Sequence, residues 1–150
     1  MSFFVCVSVP DGGMALERCE GSPFRVISAG QFPIGRAVAG GNPAASPALV
    51  TSGGCSSDLM NRGPKKRRYA GTFLDYLNCL GQQGVAASVL VHWCRGDIAT
   101  EKVEVREKRK ILLAEFRELF PDKVDEDVRY VVFAEMPGHQ GLTGRTEDNQ

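Results

Sequence analysis

Four consecutive cations, Lys65, Lys66, Arg67 and Arg68, followed by Tyr69, are the densest chemical signal in the sequence. Clustered Lys and Arg can neutralise phosphates and release their counterions, which gives affinity without sequence specificity. A neighbouring tyrosine can stack on a base. The same run resembles a nuclear-import signal. A second basic set, Lys102, Arg106, Arg109 and Lys110, lies at spacings that form a ridge on a helix, with Glu101, Glu104 and Glu107 interleaved. Carboxylates repel phosphate, so this ridge assists the first cluster and does not replace it.

His92 and Cys94 stand two residues apart and would share one face of a strand. A thiol nucleophile needs a base within hydrogen-bond reach and a lowered pKa, and this pair is the one place where the chain offers both groups. Burial of both in a core is the competing reading, because free cysteine is among the most buried residue types. The five cysteines, Cys6, Cys19, Cys55, Cys79 and Cys94, show no C-x-x-C spacing and join two histidines, His92 and His139. No metal site and no cofactor are expected from this inventory, since structural zinc uses ligands two to four residues apart. A serine-nucleophile motif and a phosphate-binding glycine loop are also missing. Arg95-Gly96-Asp97 reads as a turn, and Asp122 to Asp127 as a solvated acidic loop.

The chain has 150 residues, with 18 basic and 18 acidic side chains and a formal net charge of zero. That length suits one domain with a modest core. Neutrality conceals a dipolar arrangement: residues 61–110 carry a net +6 and residues 111–150 a net −5. Charge asymmetry of this kind bears on partners and not on fold. No secretory leader and no membrane span is read from the sequence, and with the thiols taken as reduced the expected setting is cytoplasmic or nuclear, not secreted.

The elements that must hold these residues follow from periodicity. Residues 3–9 alternate as a strand and stop at Pro10-Asp11-Gly12-Gly13. Met14 to Cys19 reads as one helical turn, and 24–28 as a second strand. Phe32 to Val38 reads as an edge strand or loop, because Pro33 and Gly35 weaken pairing. Of the 26 residues 39–64, 19 are Gly, Ala, Ser, Pro, Asn or Thr, too little apolar area to offset backbone ordering. A flexible linker over 39–72 that carries the basic cluster is expected. Thr72 would cap a helix through Leu80, with Gly81 and Gly84 ending it. Residues 85–94 read as a central strand, 101–120 as a long helix with Val105, Leu112, Phe116 and Leu119 on its apolar face, and 128–134 as a strand. Residues 137–150 read as a disordered tail. Helix, strand, helix, strand over 73–136 suggests a crossover between parallel strands.

The expected fold is therefore α+β, a small mixed sheet of three to five strands with two helices and a long Gly/Ala/Ser/Pro-rich loop. Residues 1–38 add strands to the same sheet or form a small subdomain. The expected function is a non-enzymatic accessory or regulatory protein that binds nucleic acid, RNA before DNA, through Lys65–Tyr69 with help from Lys102, Arg106, Arg109 and Lys110. The alternatives are a protein-interaction module that meets its partner through a strand edge or the acidic loop, and a thiol enzyme built on Cys94 and His92.

Overall fold

The structure, a computed structural model, describes residues 2–10, 24–42, 44–52 and 67–134. The chain is α+β with a mixed sheet. Its strands are β1 (Ser2–Val9), β2 (Phe24–Ser28), β3 (Ser46–Ser52), β4 (Ala87–Cys94), β5 (Glu107–Leu112) and β6 (Val128–Phe133). Its helices are α1 (Pro33–Ala39), α2 (Arg67–Gln82) and α3 (Leu113–Leu119). The six strands run β2-β3-β1-β4-β6-β5 across the sheet. All neighbours are antiparallel except β5 and β6, which pair in parallel with Glu107 opposite Val128 and Leu112 opposite Phe133.

Strand alternation sorts the apolar side chains onto two faces. On one face Val5, Val7, Val9, Val50, Val89, Val91, Val128 and Tyr130 meet Phe73, Leu77 and Leu80 of α2 and Phe116 of α3. Phe116 lies 5.5 Å from Tyr130 and 5.6 Å from Phe120, ring centre to ring centre, distances at which aromatic pairs add to plain area burial. On the other face Cys6, Leu49 and Leu90 meet Ile34 and Val38 of α1. The central strand β4 is buried on both faces, with only Trp93 partly exposed. No helix among the described residues is long and apolar enough to cross a membrane.

Several expectations change. Pro33 and Gly35 do not sit in an edge strand: they open α1, where Pro at the first helical turn lacks only an N–H that has no partner there. Gly35 presses on the Ala29 carbonyl with no room for a Cβ, and Gly40 closes the helix in the left-handed region at φ 64. Within the supposed linker 39–72, Ser46–Ser52 is β3, held between β1 and β2, with Ala48, Leu49 and Val50 buried. This interior strand makes the sheet six strands wide. Three apolar residues suffice because strands on both sides satisfy its backbone. The helix expected to begin at Thr72 already runs from Arg67, so Thr72 is interior.

The largest change is over 101–120. Residues 101–106 form no helix, β5 follows, and only Leu113–Leu119 is helical. A helix through 101–112 would stack like charges at i, i+4, whereas in β5 Arg109 falls opposite Tyr130 and Ile111 packs on the core. Glu115 begins α3 properly by accepting the Leu112 N–H at 3.2 Å. The parallel crossover is thus β5–α3–β6, while β4 and β6 are antiparallel. Residues 14–19 and 137–150 lie outside the described residues.

Candidate interaction surface

Among the described residues β5 is the outermost strand on its side of the sheet and pairs only with β6. An edge strand presents a row of backbone N–H and C=O groups with no ladder partner. The side chains of β5 then divide by alternation and register. Glu107, Arg109 and Ile111 share the face of Tyr130 and α3. Lys108, Lys110 and Leu112 share the opposite face with their register partners Arg129, Val131 and Phe133. The alternation along β6 confirms the division, because Val128, Tyr130 and Val132 are buried while Arg129, Val131 and Phe133 are only half-buried. Lys108 and Lys110 are exposed.

No carboxylate among the described residues neutralises this second face. Among the described residues Lys108, Lys110 and Arg129 form no ion pair, and the Arg129 Nε is buried without a hydrogen-bond partner. The Arg129 guanidinium packs against Gly40 so closely that a Cβ there would collide with it. The first face is the reverse. Arg109 donates from Nε to Glu107 at 2.6 Å and from Nη1 to Asp125 at 3.0 Å, and lies 5.8 Å from the Tyr130 ring centre. Glu107 and Asp125 hold the Arg109 guanidinium charged, and Arg109 in turn holds the Glu107 carboxyl below its usual range.

The basic ridge expected on a helix is therefore dispersed. Lys102 lies in the connection before β5, 3.5 Å from Glu104. Arg106 lies in the same connection and donates to the Glu126 carbonyl at 2.7 Å. Arg109 and Lys110 are consecutive in a strand, so they point to opposite faces, and Arg109 is already paired. Of the four, only Lys110 stands in an unpaired cationic group. Lys65 and Lys66 lie outside the described residues, and Arg67, Arg68 and Tyr69 form the first turn of α2.

His92 and Cys94 are both buried on β4, and each spends its hydrogen bonds on other partners. His92 Nδ1 is 2.8 Å from Asp127 Oδ1 and Nε2 is 2.5 Å from Glu101 Oε2. A neutral imidazole has a single N–H, so carboxylates at both ring nitrogens favour the doubly protonated cation. Burial pulls the His92 pKa down, yet the hydrogen bonds and charges of Asp127 and Glu101 outweigh it and leave the pKa above the ordinary 6.5. Neither nitrogen remains to serve a thiol. Cys94 Sγ instead donates to the Gly96 carbonyl at 3.3 Å, and burial raises its pKa, as it pushes Cys6 up to about 12. Cys79 is disulfide-bonded, so the reading of all five thiols as reduced fails there.

The bracket around His92 ties two connections to the sheet. Glu101 also accepts the Gly96 and Arg95 amides at 2.7 and 3.1 Å, which folds 95–101 into a closed turn. Asp127 sits in the left-handed region at φ 59, accepts the Arg106 N–H at 2.8 Å and donates its own to Val91. The bracket thereby fixes the start of both β5 and β6. Its carboxylates lie on opposite sides of the imidazole, and among the described residues no group of three or more His, Cys, Asp or Glu could hold a metal.

Lys108, Arg129, Phe133, Glu101 and Asp127 escaped the sequence reading. Arg129 carried a signal: it is the one charge in the otherwise apolar and aromatic Val128–Phe133. Glu101 and Asp127 carried none, because their partner is remote in sequence. No family model, curated protein or solved structure matches this chain.

Proposed function

We propose that this protein is a non-enzymatic binding module that takes an extended, acidic segment of a partner protein as a further strand on the outer edge of β5. One observation carries the reading. Among the described residues the edge is unpaired along all of Glu107–Leu112, and its exposed side chains on one face are Lys108 and Lys110, which no described carboxylate neutralises. Strand addition draws affinity from main-chain hydrogen bonds and specificity from alternate side chains. A second copy of this chain is a poor occupant. Antiparallel self-pairing centred on β5 sets Arg109 against Lys110, or either of them against itself, and like charges directly opposite destabilise a sheet. A carboxylate-bearing strand relieves the same repulsion.

The nucleic-acid reading is the second proposal. It draws support from the same free cations, joined by Arg129 and the half-buried Phe133 ring on one open sheet face. Bases of single-stranded RNA stack on aromatic side chains of such faces. In either reading the run Lys65–Arg68 serves as an import signal, which a reporter fused to residues 60–72 tests by nuclear accumulation.

Amide hydrogen exchange on the full chain separates the two. A blocked peptide of alternating Glu and Thr should slow exchange at the β5 amides by at least about tenfold at saturation. An oligouridylate that perturbs Lys108, Lys110 and Phe133 without slowing those amides would overturn strand addition in favour of RNA.

A further inference from the structure

We infer that the strand accepted by β5 is read on one face only, as an apolar residue followed at alternate positions by two carboxylates, in the antiparallel sense. This rests on strand addition at β5 and names the segment that the edge selects.

The edge has two faces of different chemistry. On the Tyr130 face, Arg109 is already held by Glu107 and Asp125, so an added side chain there finds its charge satisfied and gains nothing from bearing one. On the other face Lys108 and Lys110 are free and lead to the half-buried Leu112. Residues directly opposite in paired strands bring their Cβ atoms to about 4.5–5.5 Å, and alternate residues recur on one face about 7 Å apart. An occupant therefore meets Lys108, Lys110 and Leu112 with three of its own alternate side chains. Carboxylates complement the first two, and an apolar side chain complements the third. Behind this row Arg129 keeps the field positive, while Val131 and Phe133 extend the apolar end. Antiparallel pairing is the slightly more stable arrangement per residue. It places the apolar residue N-terminal: apolar-x-acid-x-acid.

Three blocked, fluorescently labelled peptides test this against the full chain by anisotropy. They are Val-Thr-Glu-Thr-Glu-Thr, the isomer Val-Thr-Glu-Glu-Thr-Thr, whose adjacent carboxylates fall on opposite faces in any register, and the reversed Thr-Glu-Thr-Glu-Thr-Val. The first should bind about fivefold more tightly than the second, the upper end for one cross-strand charge pair, and more tightly than the third. The double substitution Lys108→Glu with Lys110→Glu, at exposed positions that leave the core intact, should reverse the preference towards Val-Thr-Lys-Thr-Lys-Thr. Equal affinities, with the β5 amides still protected from exchange, would overturn the one-face code and leave strand addition standing. Tighter binding of the reversed peptide would overturn the antiparallel sense. If no peptide protects the β5 amides, strand addition itself falls.

Discussion

At the scale of single residues, the buried His92 shows how a group that invites a catalytic reading becomes a structural tie. Its side chain is 7% exposed, and those of Glu101 and Asp127 are 21% and 26% exposed. Removing the imidazole leaves two partly buried carboxylates without the group they share. His92→Gln should cost about 3 kcal/mol in a urea or thermal melt. The pH dependence follows from the directions of the shifts. His92 has a folded pKa above 6.5, so its contribution is complete below that value and is lost as the pH rises through the folded pKa. Glu101 is held below 4.5, chiefly by its hydrogen bond to His92, so its contribution is present above 4.5 and is lost as the pH falls through the folded value. The midpoint of melting should thus fall on both the acid and the alkaline sides. In His92→Gln the alkaline decline should flatten. An unchanged alkaline limb in that variant would show that the imidazolium does not hold the two connections.

Among the elements, α1 depends on a single glycine. A Cβ at Gly35 would strike the Ala29 backbone carbonyl, which cannot move aside as a flexible side chain can. Gly35→Ala should destabilise by about 3 kcal/mol, the upper end for overpacking, although alanine favours a helix. A stabilised variant would mean that α1 docks more loosely than its buried Ile34 and Val38 require. Phe116→Ala, in the aromatic cluster under β6, should cost about 4 kcal/mol. These elements were unequally legible. β1, β2, β4 and β6 followed from alternation or from continuous apolar runs. β3 did not, because its apolar centre, Ala48 to Val50, is diluted by the small residues around it, and its backbone is stabilised by neighbours distant in sequence. β5 was hidden for another reason. Its residues are nearly all charged, and the apolar spacing from Val105 to Leu119 merges a connection, a strand and a helix into one apparent period. The candidate site lies on β5, so it was illegible for the same cause: Lys108 and Lys110 acquire a common face only once the strand exists.

Over the whole molecule, the charge blocks of the sequence fold back on each other. Arg109 from the positive stretch meets Asp125 from the negative one, and Arg106 reaches the Glu126 carbonyl. What remains unpaired on the open face is three cations, Lys108, Lys110 and Arg129, on a chain of zero formal charge. That number bounds the polyanion affinity of this face. Each phosphate neutralised on a single strand contributes about 0.7 to the slope of log affinity against log salt. Three contacts therefore give a slope of about 2, and binding of an oligouridylate should weaken by less than about 20-fold between 50 and 200 mM salt. An acidic peptide seated along β5 should weaken less, because main-chain hydrogen bonds do not respond to ionic strength as phosphate contacts do. An anisotropy titration over that range reads both slopes. An oligouridylate slope above about 4 would require more cations than this face supplies, and would move the binding surface to one that includes Lys65, Lys66, Arg67 and Arg68. Replacing those four residues with alanine should leave the slope unchanged if β5 and β6 form the surface, and should roughly halve it if they do not.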